Sequence, residues 1–275
     1  MGHRFTTCIL AGLLASLASV PVQAQKQRAA APDSTAPPSY RLSQYYRVLG
    51  RDSAAFFYSQ DYELTLPGCA VIWREAKVDS ATGRFRGFVR DYWLNNTKPA
   101  LKGAYNAAGR KEGPFEIYHP DGTLAASGNY RNGRMIGNWA YWYPSGAKRQ
   151  VLSFGDGSLL LVQQFWNEAG EQLATNGNGT WYRVEEGVWM GGPVLNGMPE
   201  GRWLVKEVKE VKGQQKILAQ ENFRKGRFSS GMIRGTGLYY TNQSTIYITD
   251  WDNYSQAEQV KIQPACTPKS PQPAP

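Results

Sequence analysis

The folded protein has one histidine with which to do imidazole chemistry. The chain holds two, His3 and His119, and His3 falls in a segment read below as an export signal. A multi-histidine metal centre is therefore excluded, and a Ser-His-Asp relay would have to pass through His119. His119 sits just before Pro120-Asp121-Gly122, and Tyr143 occupies its place in the repeat described below. A slot that accepts either residue reads as a turn flank rather than a catalytic position. Asp250-Trp251-Asp252-Asn253 opens like a calcium loop, but it lacks the glycine at its sixth position and has Lys261 where a bidentate glutamate belongs. Gly231, Gly235 and Gly237 do not make a dinucleotide fingerprint, because no third glycine stands at the right place and no helix follows. Glycoside hydrolysis needs two carboxylates at a set spatial separation, and Glu185-Glu186 or the Asp250 and Asp252 pair supply only adjacency in sequence. No catalytic, cofactor-binding or metal-binding residue is assigned. The chain reads as non-enzymatic, with no cofactor.

The cations offer more. The formal net charge is +9, which favours anionic partners. Arg84, Arg86, Arg90, Lys98, Lys102, Arg110 and Lys111 crowd one stretch, and Arg131, Arg134, Lys148 and Arg149 follow. Arg84, Arg86 and Arg90 are evenly spaced and share one face of a regular strand. Together with neighbouring aromatics, Arg84, Arg86, Arg90, Lys98, Lys102, Arg131, Arg134, Trp139 and Trp142 form a candidate binding stripe. For an exported chain the expected partner is an unknown protein or an anionic envelope surface, and nucleic acid is not expected.

The elements that would position these residues repeat. Gly113-Pro-Phe-Glu-Ile-Tyr-His-Pro-Asp-Gly122 aligns with Gly137-Asn-Trp-Ala-Tyr-Trp-Tyr-Pro-Ser-Gly146 at an offset of 24. The same offset relates Trp142 to Trp166 and Gly109 to Gly133. The phrase Asn132-Gly133-x-x-x-Gly137-x-Trp139 returns as Asn196-Gly197-x-x-x-Gly201-x-Trp203. Asn-Gly is the dipeptide of a two-residue hairpin turn, and Pro-Asp-Gly or Pro-Ser-Gly suits a type I turn followed by a left-handed glycine. The runs between turns have strand length and are rich in Tyr, Trp, Phe and Val. One unit is thus one β-hairpin, and Gly113, Gly122, Gly133, Gly137, Gly146, Gly197 and Gly201 define the repeat. Phe115 and Ile117 should share a face with Trp139 and Tyr141, with Tyr118 and Trp142 on the other. The expected fold is all-β, an elongated antiparallel β-meander of repeated hairpins. Glycines within the repeats read as turn formers.

The phrase Gly128-x-Tyr130-x-x-Gly133-x-x-x-Gly137-x-Trp139, closing at Gly146, resembles the MORN repeat, in the variant found in bacterial proteins commonly labelled YwqK-family antitoxins. The likeness is clearest over residues 103 to 154 and recognisable from Phe85 to Ile233, and it does not reach residues 40 to 80. It departs from the common pattern in having Asn138-Trp139 after Gly137. The resemblance implies a single-layered ribbon that serves as an interaction platform, with links to scaffolding, membrane association and toxin neutralisation. It implies no shared catalytic residues.

The flanks read less regularly. Leu64 to Arg90 contains a hairpin turning at Asp79–Gly83. Gln44 to Tyr58 reads as a short helix of weak apolar spacing, Lys206 to Lys216 as a polar hairpin arm or strand end, and Gly237 to Trp251 as the segment that closes the sheet. Residues 1–24 have the basic start, apolar middle and Val22-Gln23-Ala24 site of a signal peptide. The domain reading is then signal peptide 1–24, Pro/Ala-rich linker 25–39, N-terminal flank 40–84, MORN-like repeat domain 85–262 and Pro-rich tail 263–275. No later stretch is apolar enough to span a bilayer, and the expected location is periplasmic, outer-envelope associated or secreted. Export leaves Cys69 and Cys266, an even number in an oxidising compartment, either bonded to each other or free. The function expected is a protein- or envelope-binding platform. The alternatives are an immunity protein that neutralises a toxin and a carbohydrate-active enzyme on a β scaffold.

Overall fold

The computed structural model describes residues 44–79, 81–155, 160–211 and 213–246. The chain divides into two units, residues 1–40 and 41–275, and every described residue belongs to the second. The signal peptide, the linker, the Pro-rich tail, the Asp250–Asn253 stretch and Cys266 lie outside the described residues. Cys69 ends a 3-10 turn, Pro67–Cys69, and is disulfide-bonded.

The strands are β1 (Tyr46–Val48), β2 (Ser53–Tyr58), β3 (Ile72–Val78), β4 (Phe85–Trp93), β5 (Pro99–Tyr105) and β6 (Gly113–Tyr118). Then come β7 (Leu124–Arg131), β8 (Arg134–Trp142), β9 (Lys148–Phe154), β10 (Leu160–Trp166), β11 (Gln172–Thr175) and β12 (Asn178–Glu185). The last are β13 (Val188–Leu195), β14 (Met198–Pro199), β15 (Gly201–Val211), β16 (Gln214–Arg224), β17 (Arg227–Ile233) and β18 (Tyr239–Tyr240). All 18 lie in one antiparallel sheet, each strand pairing with the next in the chain, except that β14 and β15 both pair with β13. The sheet is a meander and is not closed into a barrel. Among the described residues no helix is long and apolar enough to cross a membrane.

The turns take the conformations that their residues require. Asn132 and Gly133 have φ of 51° and 81°, and Asn196 and Gly197 have 52° and 78°, the positive pair of a type I′ hairpin. The 24-residue period is also written in the pairing. Register shifts fall between Ile117 and Tyr118, Tyr141 and Trp142, and Phe165 and Trp166, the same place in successive units. A bulge there bends the strand and increases its twist.

One face is sealed by aromatic rings. Phe56, Phe85, Tyr105, Phe115, Tyr130 and Trp139 follow one another with centroids 4.8–6.3 Å apart. Phe165, Trp181, Trp203, Phe223, Phe228 and Tyr240 continue at 5.6–6.1 Å. Phe115, Ile117, Trp139 and Tyr141 are buried, whereas Tyr118 and Trp142 are only partly so. Space for the rings comes from glycines that are not turn formers. A Cβ on Gly128 would lie 2.1 Å from the Trp139 indole, and Gly103 stands in the same relation to Phe115 and Gly192 to Trp203. These glycines sit inside strands, which corrects the expectation that glycines in the repeats make turns.

One further expectation changes. The segment 44–58 is not a helix but β1 and β2, because β2 pairs along its whole length with β3 and buries Phe57 and Tyr58 there. Pairing satisfies the open edge of β3, which an isolated short helix would leave bare. In the N-terminal flank, β1 to β3 continue the same sheet into the repeats. The polar arm is as expected: β15 and β16 are a hairpin of two 11-residue strands. Tyr239–Tyr240 is the last described strand, so closure beyond Ile246 lies outside the described residues.

Candidate functional site

The candidate stripe does not form one surface. Trp139 belongs to the sealed face: it is 0% exposed, lies against Gly128, and donates its indole N–H to the Asn129 carbonyl at 3.1 Å. It cannot contact a partner. Lys98 sits at the opposite edge of the sheet from Arg131 and Arg134, where its ammonium donates to the Asp121 carbonyl. Arg86, Arg90, Lys102 and Trp142 project from the open face. Arg86 and Arg90 share that face because they stand opposite Lys77 and Glu75, two residues apart on β3. Arg84 precedes β4 and lies at the turn edge, donating to the Ala108 carbonyl at 3.2 Å. Arg131 and Arg134 flank the Asn132-Gly133 turn on that same edge.

The open-face members are largely neutralised within the molecule. Arg86 is 3.9 Å from Asp52 and 3.8 Å from Asp79. Lys102 lies 3.8 Å from Glu116, donates to the Tyr118 hydroxyl at 2.9 Å, and covers that ring at 5.0 Å. The Tyr118 contact holds the Lys102 ammonium above its ordinary pKa, against the effect of partial burial. Such exposed pairs contribute little stability, but they occupy the charges. Phe88, 80% exposed on the same face, follows Gly87, a left-handed residue (φ 67°) within the irregular part of β4.

The groups that could do chemistry are engaged in holding the sheet. His119 Nε2 donates to the Trp142 carbonyl at 3.0 Å, and one unit later Tyr143 donates its hydroxyl to the Trp166 carbonyl at 2.8 Å. The two residues share a task, tying each turn to the following unit, which explains why the slot accepts either. Glu185 pairs with Arg183 at 2.8 Å, and Glu186 occupies a turn with φ of 48°. Asp121 accepts from the backbone and hydroxyl of Thr123, which hold its carboxyl below the usual range.

Three buried polar centres escaped the sequence reading. Arg74 and Asp91, both fully buried, form a two-pronged pair at 2.7 and 2.8 Å. The rings of Tyr58, Tyr62, Phe85 and Tyr105 surround the guanidinium at 5.1–5.9 Å. Burial is the largest influence and opposes the Arg74 charge, but Asp91, Tyr105 and Tyr58 together outweigh it and hold the guanidinium pKa well above its ordinary value. Burial likewise raises the Tyr58 phenol, with Arg74 acting in opposition. Asp91 precedes a register shift like those after Ile117 and Tyr141, so a charge in an apolar slot was the available signal. Glu221 is buried and accepts from Tyr240 at 2.7 Å and from the backbone and hydroxyl of Thr245 at 2.8 and 2.6 Å. Gln150 accepts from the Trp181 indole at 2.7 Å, bridging the two aromatic runs.

A shallow cleft of about 330 Å³ is lined by Gln60, Ala70, Val71, Trp93, Leu94, Asn95 and Pro120. It holds no carboxylate, so it does not supply the two acids of a glycosidase. Among the described residues no three His, Cys, Asp or Glu side chains group to hold a metal ion.

No protein-family model matches the chain, and no curated protein matches it.

Proposed function

We propose that this is an exported, non-enzymatic, MORN-like repeat protein that serves as a binding platform at the cell envelope. What supports the reading is the use of the polar groups. The histidine and the prominent described acids hold turns and strands together, while the same turn edge is rebuilt unit after unit with free arginines along it. A long antiparallel sheet sealed on one face leaves its edges and its open face for contact, and cations there steer an anionic partner. The rival carbohydrate-active reading needs a pair of free acids, and Glu185, one of those it would use, is bound to Arg183.

The test is a crosslinked pull-down with residues 25 to 275 from envelope extracts, run in parallel with Arg131→Glu/Arg134→Glu. The expected result is one stoichiometric envelope component, lost in high salt and in the charge-reversed variant. Recovery of nothing would refute the platform. Hydrolysis of an envelope glycan that disappears with Glu185→Gln would refute the non-enzymatic reading.

A further inference from the structure

Four arginines without a described carboxylate partner stand together on one edge of the sheet. Three neighbouring turns there, residues 79–84, 106–112 and 131–134, are joined side by side. Arg84 donates to the Ala108 carbonyl, Asn106 to the Asn132 side chain at 3.2 Å, and the Gly133 N–H to the Lys111 carbonyl at 2.8 Å. Arg84, Arg110, Arg131 and Arg134 are all exposed on these turns, and none is within ion-pair distance of a described carboxylate. The acids close by are committed elsewhere. Asp79 caps the Ala81 and Thr82 N–H groups and faces Arg86, and Glu112 accepts from the Asn132 backbone at 2.9 Å and from Asn106 at 3.2 Å. The opposite edge differs, with Asp121, Glu168, Glu171 and Glu186 in its turns.

We propose that this turn edge binds a linear acidic polysaccharide with one carboxylate or sulfate per disaccharide, held by Arg84, Arg110, Arg131 and Arg134. The inference rests on the platform reading and names its ligand class. Spacing is the first argument. Successive turns on one edge are two strands apart, about 10 Å, which is close to the extended length of a disaccharide. Along a DNA duplex each strand presents a phosphate roughly every 3.4 Å of axis, a much finer pitch. Chemistry is the second argument. Guanidinium groups meet carboxylate and sulfate oxygens through two parallel N–H donors. Phe85, Tyr105 and Tyr130, the rings that flank these turns, are packed into the sealed face and are not offered for base stacking, and the exposed Phe88 stands on the open face instead.

The experiment titrates residues 25 to 275 with hyaluronate oligosaccharides of one to five disaccharides. Neutral dextran, an oligothymidylate and phosphatidylserine vesicles are run alongside. Affinity should rise with length to about three disaccharides, one for each turn at the strand-pair spacing, and then level off. It should weaken about tenfold at low salt in Arg131→Glu/Arg134→Glu, whose two exposed charges make modest individual contributions, while its circular dichroism stays unchanged. Length-independent binding, equal binding by the variant, or preference for the oligonucleotide or the vesicles would overturn the assignment. If the envelope pull-down still captures a salt-sensitive component while hyaluronate is not bound, this ligand class fails and the platform stands. If the pull-down recovers nothing, both fall.

Discussion

Gly128→Ala should destabilise this protein by displacing a ring on the next strand. The added Cβ would lie 2.1, 2.3 and 2.4 Å from three atoms of the Trp139 indole. The indole is fully buried and is held by the Asn129 carbonyl at 3.1 Å, so it has little room to yield. Overpacking of this kind costs ~2 kcal/mol, and straining the buried indole hydrogen bond adds ~1 kcal/mol. Gly128 does not have a positive φ, so backbone strain plays no part. Without the ring, alanine would be favoured over glycine in a strand by roughly 0.5–1 kcal/mol through its smaller loss of conformational freedom. The contrast makes a double-mutant cycle decisive. Urea unfolding followed by circular dichroism should show a net loss of roughly 2–2.5 kcal/mol for Gly128→Ala in the native background, the overpacking and strain less alanine's own advantage. In the Trp139→Leu background the same change should be neutral or slightly stabilising. An equal loss in both backgrounds would refute the reasoning, because the cost would then not come from the ring.

Two predictions concern the polar groups. Burial raises the Tyr58 phenol well above its ordinary value, so the folded protein keeps a proton that the unfolded chain gives up near pH 10. Stability from this group is full below that pH and falls as pH rises through it, by about 1.4 kcal/mol per pH unit; chemical denaturation at pH 9 and pH 11 should show a smaller alkaline loss for Tyr58→Phe, and an equal loss would count against it. At the turn latch, His119→Tyr should preserve stability because Tyr143 performs the same task one unit later. His119→Phe should lose about 1 kcal/mol, the net contribution of one hydrogen bond, and thermal melts in which the two variants behave alike would exclude the latch.

The turn chemistry was open to reading because it is local. Asn132-Gly133 and Asn196-Gly197 need positive φ at both residues, and few other dipeptides accept that at low cost. The interval of 24 could be read for the same reason, since each unit carries its own turns and strand-length runs. The candidate stripe was not legible to the same degree. Arg86 is neutralised by Asp52, and Arg74 by Asp91. The Arg74–Asp91 contact depends on the register of β3 against β4, and the Arg86–Asp52 contact on that of β2 and β4 against β3, which no local pattern specifies. The helix expected over Gln44 to Tyr58 failed in the same way: Phe56, Phe57 and Tyr58 are strand residues only because β3 offers them an edge to pair with.

By itself the sequence determined the all-β class, the hairpin unit and the position of its turns, because these follow from backbone preferences over a few residues. It also determined that the described residues hold a single histidine, His119, and that the chain has an excess of cations. Tertiary structure decided which face closes, and so which aromatics could meet a partner: Trp139 and Trp142 are three residues apart, yet one is sealed beneath its neighbour and the other lies on the open side. It also decided which arginines stay unpaired. Burial and ion pairing depend on what stands opposite a residue across strands, and that is set by register and by the recurring bulges rather than by the residue's own neighbours in the chain.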